Sequence, residues 1–306
     1  MNKSYNLITI LGPTASGKTN AAVHLAYHLE TEIISADSRQ VYRNMNLGTG
    51  KDLNEYTLNN KEIPYHLIDI VNAGDKYNLF QYQRDFFSSY NQIRAKDLIP
   101  ILCGGTGMYI ESILRNYQLH QVPENPELRA RLDNYTLEEL TEMLRKLKQL
   151  HNVSEVDTKK RAIRAIEIET FAKNFPDKLP EFPAVNSLLV GIRFERQTER
   201  QRITLRLKQR LENGMIDEVK SLINNGISTD TLLYYGLEYK YITLFLLNQL
   251  SYNQMFELLN TAIHQFAKRQ MTWFRRMERN GFLINWIDGD EPAETKVQII
   301  MQLLAK

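Results

Sequence analysis

Leu7-Ile8-Thr9-Ile10-Leu11-Gly12-Pro13-Thr14-Ala15-Ser16-Gly17-Lys18-Thr19 decides the fold. Four apolar residues round Thr9 read as a buried strand. Gly12, four residues, then Gly17-Lys18-Thr19 is the spacing with which a phosphate loop wraps backbone N–H groups round an anion. Lys18 adds a charge, Thr19 places a hydroxyl for Mg²⁺, and the helical pattern over 21–29 points its N-terminus at the same oxygens. The alternative is a glycine turn with a surface lysine, which explains neither the strand before nor the helix after. The loop therefore marks an ATP-binding or other nucleotide-binding class, a protein that handles a di- or triphosphate.

Outward from this loop, short apolar runs alternate with helical patterns, which predicts a parallel sheet with crossover helices. Strands are expected over 7–11, 32–36, 65–70, 99–103 and 188–192, with a last one over 282–287 and a closing helix over 292–304. Residues 79–93 carry apolar side chains at helical steps, a core face. Ligands in such sheets sit beyond the carboxyl ends of the strands. There the second strand is followed by Asp37-Ser38-Arg39-Gln40 and then Gly48-Thr49-Gly50-Lys51, and the fourth by Gly104-Gly105-Thr106-Gly107. Asp37 reads three ways: a magnesium ligand, a general base or a helix cap.

Residues 119–182 change character. Pro123 and Pro126 open the stretch and Pro176, Pro180 and Pro183 close it, with helices expected over 137–150 and 158–172 and no strand. This predicts a helical insertion domain, 119–185, in a core made of 1–118 and 186–306. Its basic positions (Arg129, Arg131, Arg145, Lys146, Lys148, Lys159, Lys160, Arg161, Arg164) form either a solvated face or a track for a nucleic-acid backbone. Beyond the fifth strand, Arg202 and Arg206 share a helix face; either one reaches a diphosphate, or both pair with Glu195, Glu199 and Glu212. The run 265–276 mixes basic and aromatic residues, which suits stacked RNA bases, although Trp273 and Phe274 read equally as core.

The chain has 306 residues, a formal net charge of +2 and one cysteine, so an internal disulfide and a cysteine-cluster zinc site are excluded. No run is long enough for a membrane span and no leader pattern opens the chain, so cytoplasmic residence is the expectation. With no coiled-coil pattern, a monomer is expected.

Taken together, the motifs at 12–19, 34–43, 48–51, 66–69, 104–109, 160–167 and 267–275, in this order, resemble the tRNA dimethylallyltransferases nearly end to end. The resemblance implies a P-loop NTPase-like α/β core with a helical insertion domain and a helical C-terminal region. Its substrates would be dimethylallyl diphosphate and tRNA, with Mg²⁺ as cofactor and no membrane partner. It further implies that Gly12 to Thr19 hold the diphosphate, with Thr19 near the metal, that Asp37 is the general base, and that Arg206 binds diphosphate. Thr106 and Arg129 would sit by the target nucleotide. Asp37, Ser38, Arg39, Gln40, Lys160, Arg161, Ala162, Ile163 and Arg164 would contact tRNA. Two stretches depart from the family pattern. Tyr235-Gly236-Leu237-Glu238-Tyr239-Lys240 stands where Gly-Tyr-Arg or Gly-Tyr-Lys is usual, and Ile263-His264 where Thr-Arg is common; both are expected on the tRNA side, away from the chemistry. The rival readings are a P-loop kinase using Asp37 or Asp69 on magnesium, a catalytically silent RNA-binding module, and a plant-type adenylate prenyltransferase.

Overall fold

A computed structural model describes residues 5–147, 156–175, 179 and 181–305. Lys148, Pro176 and Pro180, and the last three positions of the helix expected over 137–150, lie outside the described residues. The chain forms two compact units: Met1–Asn116 with Ala184–Lys306, and Tyr117–Pro183.

In the first unit, β1 (Leu7–Leu11) feeds the phosphate loop and α1 (Lys18–Leu29), and β2 (Ile33–Ser35) leads into the loop that carries Asp37. A hairpin of β3 (Thr57–Leu58) and β4 (Lys61–Glu62) precedes β5 (Tyr65–His66) and α2 (Leu79–Arg94). Then come β6 (Ile101–Gly104) and α3 (Gly107–Leu114). The sheet order is β5-β2-β6-β1, completed by β7 (Ser187–Arg193) and β8 (Ile284–Asp288) after the second unit, and every neighbouring pair is parallel. β1 lies between β6 and β7, with Ile8 opposite both Ile101 and Leu188, and all five of its residues are buried. Burial on both faces is why this strand is apolar but for Thr9, whose hydroxyl bonds that of Ser187 at 2.8 Å, and does not alternate.

The third strand is shorter than the run 65–70 predicts. It ends at His66, because Leu67 and Asp69 take left-handed backbone angles (φ 62° and 55°). The apolar signal at 67–70 comes from a buried turn: Leu67 and Ile68 are in the core, and Ile70 N donates to Val41 O at 2.9 Å.

The second unit contains α4 (Pro126–Leu132), α5 (Leu137–Leu147) and α6 (Lys159–Asn174), closed round Leu132, Leu140, Leu144, Ala162, Ile163, Ala165 and Ile166. Asn125 and Thr158 cap α4 and α6 by accepting from backbone N–H groups three residues on. Returning to the first unit, α7 (Arg196–Glu212), α8 (Met215–Asn224), α9 (Thr229–Tyr234), α10 (Leu237–Leu246) and the 28-residue α11 (Tyr252–Arg279) share a second apolar core, and α12 (Ala293–Leu304) packs near α1. Among the described residues, no helix is long and apolar enough to cross a membrane.

Candidate active site

The phosphate loop bends with Ala15 and Gly17 in left-handed conformations (φ 61° and 76°), and Ser16 N donates to Pro13 O at 3.4 Å. The Ser16 hydroxyl is buried without a hydrogen-bond partner, and Lys18 Nζ reaches Pro13 O at 3.2 Å. Burial pulls the Lys18 ammonium below the ordinary lysine value, Arg206 pushes the same way, and Asp37 opposes both. Lys18 is thus a half-buried cation to which an anion in the loop would supply a counter-charge.

Three other segments meet the loop. Asp37 Oδ1 accepts from Arg39 N at 2.9 Å, and Thr106 Oγ1 accepts from Ser38 N at 3.1 Å, so the ends of β2 and β6 are stitched together. Asp37 thus caps a turn and not a helix, since none follows it, and it stays in the cavity wall. On α7, Arg202 Nε donates to Ala15 O at 3.1 Å and lies over the Phe194 ring, while Arg206 is paired with Asp52. Both arginines face inward, not toward the helix-surface glutamates at 195, 199 and 212. From α11, buried Gln270 accepts from Thr14 N at 2.8 Å and donates to Gly105 O at 2.9 Å. One amide thereby fixes the phosphate loop against the glycine-rich turn.

These segments enclose a cavity of about 470 Å³ lined by Thr14, Lys18, Thr19, Asp37, Ser38, Arg39, Gln40, Thr106 and Arg206, with Phe266, Arg269, Gln270 and Trp273 from α11. Of the basic and aromatic run on that helix, Phe274 is core, Trp273 faces the cavity, and Arg276 pairs with Glu111 at 2.7 Å. The departures at 235–240 and 263 are not remote from the chemistry: Tyr235, Gly236, Leu237, Glu238, Tyr239 and Ile263 line the same cavity. This corrects the expectation, since α10 and α11 form part of the wall of the cavity that the phosphate loop borders.

Asp69, the metal ligand a kinase would use, is paired with Lys51, which also reaches Tyr42 O. The acid at the end of that short strand secures the 46–51 turn. Glu218 holds the turn from the other side, accepting from the backbone N of Asn46, Leu47 and Gly48 at 2.8, 2.7 and 3.0 Å and from the Tyr239 hydroxyl at 2.8 Å.

In the second unit, Arg129 and Arg164 both bind Glu167, Arg129 also pairs with Glu124, and Arg161 pairs with Asp157. Ala162 and Ile163 are buried in that unit's own core, so in the run 160–164 it is Lys160, Arg161 and Arg164 whose side chains are accessible.

Family models place this architecture. An IPP transferase model matches residues 40–277 and an isopentenyl transferase model matches 5–65. The chain belongs to the IPP transferase family. Among IPP transferases it is 60% identical to tRNA dimethylallyltransferase 2 of Phocaeicola vulgatus, over 99% of this chain and 98% of that protein. It is 58% identical to the protein of the same name from Bacteroides fragilis, over 98% of each. The crystal structure of the tRNA isopentenylpyrophosphate transferase of Bacillus halodurans is similar with a TM-score of 0.72 at 31% identity, covering 98% of this chain and 95% of that one. A eukaryotic dimethylallyltransferase caught acting on tRNA shares the fold at a TM-score of 0.78 and 21% identity, over 99% of this chain and 78% of that one.

Proposed function

We propose that the protein transfers the dimethylallyl group of dimethylallyl diphosphate to N6 of the adenosine at position 37, 3′ of the anticodon, in tRNA, with release of diphosphate. The observation that carries this reading is the shared cavity, in which an anion-binding loop, a carboxylate and a hydroxyl line one space. The relatives named tRNA dimethylallyltransferase support the same reaction.

The adenine amine is a poor nucleophile, because its lone pair is delocalised into the ring. Asp37 takes its proton as the nitrogen–carbon bond forms, acting as general base. The allylic carbon turns cationic as its bond to oxygen breaks, and the departing diphosphate is stabilised by Lys18, Arg206 and the loop N–H groups. The phosphate loop thus holds a leaving group, and no phosphoryl group moves. The target base leaves the stacked anticodon loop to enter the cavity, where Thr106 orients it. Lys160, Arg161, Arg164 and Arg129 contribute positive charge for the tRNA backbone, with Ser38, Arg39 and Gln40 nearer the base.

Thr19 in the cavity wall suits Mg²⁺, a hard cation that takes hydroxyl, phosphate and water oxygens. That ion would neutralise charge on the departing diphosphate. The protein acts as a cytoplasmic monomer in this reading.

The deciding experiment incubates the protein with Mg²⁺, labelled dimethylallyl diphosphate and unmodified tRNA carrying adenosine after the anticodon, followed by nucleoside analysis. Labelled adenosine at that position is the expected result. Phosphate transfer to a nucleoside without prenylation would overturn the reading.

A further inference from the structure

Arg210 lies one turn beyond Arg206 on the same face of α7. Its Nε and Nη2 atoms are buried with no hydrogen-bond partner, and its side chain is only 13% exposed. The carboxylate oxygen paired with its Nη2, Asp52 Oδ2, is 3.7 Å away, beyond hydrogen-bonding distance, and is already engaged by Arg206. Arginine carries five donors and cannot shed its proton, so idle donors on a buried guanidinium are costly unless something uses them.

The residue borders two cavities. Arg210 lines the main cavity together with Lys18, Thr19 and Asp37. It also lines a second, small cavity of about 10 Å³ with Thr14 and Ala15 of the phosphate loop, Arg206 and Glu238. Its guanidinium packs against Gly50, where a Cβ would collide with it, so the side chain is held in place by the 46–51 turn. Glu238, beside it in the wall of both cavities, is its other counter-charge. Burial lowers the Arg210 pKa and Arg206 adds to that, while Asp52 and Glu238 oppose.

We propose that Arg210 is a second diphosphate-binding guanidinium, so that the anion is held between the phosphate loop and an arginine pair, Arg206 and Arg210. Asp52 bridges the pair and sets its spacing, and Glu238 balances the second positive charge in the cavity wall. Arg210 and Glu238 are in this account one device: a charge pair that adds a donor fork to the leaving-group site.

The proposal rests on the transferase reading for the identity of the anion, so it is tested with inorganic diphosphate and Mg²⁺ alone, by calorimetric titration of the full chain without tRNA. Arg210→Met should bind diphosphate about 10- to 100-fold more weakly, as expected for lost hydrogen bonds to a charged group, and Arg210→Lys several-fold more weakly. In turnover the KM for dimethylallyl diphosphate should rise while tRNA affinity is unchanged. The double variant Arg210→Met/Glu238→Gln removes both charges together and guards against misfolding from an unpaired carboxylate; if folded by thermal melting, it should be as weak as Arg210→Met. Wild-type affinity in the folded double variant would make Arg210 a structural ion-pair partner and overturn the proposal. If neither Met variant folds, Arg210→Lys decides, and wild-type affinity there overturns it too. Arg210-dependent diphosphate binding without any prenyl transfer to tRNA would sink the transferase reading and leave the Arg210 assignment standing.

Discussion

Asp37 holds one carboxylate oxygen on the Arg39 amide, a contact that an asparagine side chain oxygen can keep. Asp37→Asn should therefore preserve the loop and tRNA binding while kcat falls by about 10²–10⁴-fold, the usual span for a lost general base. Wild-type turnover would take the proton-acceptor role away from this residue. Gln270 makes a different kind of claim, since it touches no reacting atom and instead ties Thr14 N to Gly105 O. In Gln270→Leu the buried Thr14 N–H and Gly105 carbonyl lose their partners, at about 1–3 kcal/mol. The KM for dimethylallyl diphosphate should rise about tenfold with a smaller change in kcat, and equal KM values would remove the positioning role. Local spacing made the phosphate loop, Asp37, Thr106 and Arg206 legible as candidates, because each stands at a strand end or on a regular helix face. Gln270, Arg210, Glu238 and Glu218 were not. Their partners lie 21 to 256 residues away in sequence, so local pattern does not mark them as site residues.

Among the elements, α11 carries the most contacts with the cavity. The indole of Trp273 lies against Gly107, where any Cβ would run into the ring, so α3 and α11 approach each other through a glycine. Gly107→Ala should cost about 1–3 kcal/mol as the helices are forced apart, seen as a lower urea midpoint with unchanged m-value; an unshifted midpoint would show that the indole swings aside freely. The same helix shows what composition cannot separate. Its basic and aromatic residues read as an RNA-binding stripe, but the three-dimensional register assigns Phe274 to the core, Arg276 to Glu111 and Trp273 to the cavity. The third strand was over-read for a related reason: apolar residues at 67–70 are buried in a left-handed turn, and burial alone does not distinguish a turn from a strand.

For the whole molecule, each unit carries a buried carboxylate held by two basic side chains, Lys96 and His66 on Glu32 and Arg129 and Arg164 on Glu167. Burial of Glu32 is the largest influence and would raise its pKa, but Lys96 at 2.5 Å and His66 at 2.6 Å together bring it below the ordinary value. Glu167 is likewise pushed up by burial and brought lower overall by Arg129, Arg164 and the Asn125 amide. Both groups bind fewer protons folded than unfolded, so their stabilisation is complete above the ordinary glutamate pKa of about 4.3 and is lost as pH falls through the folded values. Glu167→Gln should lower stability at pH 7 by about 2 kcal/mol, less than a fully buried pair because the two guanidinia are about a third exposed. The penalty should shrink as the buffer is taken toward pH 3. Chemical denaturation read across pH 3–7 checks this, and a penalty independent of pH would mean the carboxylate charge is not what holds α4 to α6.

The central position of β1 also has a consequence for synthesis. Leu7 pairs with Ser187, and Ile8 with Ile101. At ordinary translation speeds the ribosome spends on the order of 10–40 s making the intervening chain before β7 exists. Throughout that interval the most apolar strand of the protein has at most one of its two edges filled. The phosphate loop at the end of that strand is made early, while its α7 and α11 partners, Arg202 and Gln270, arrive late.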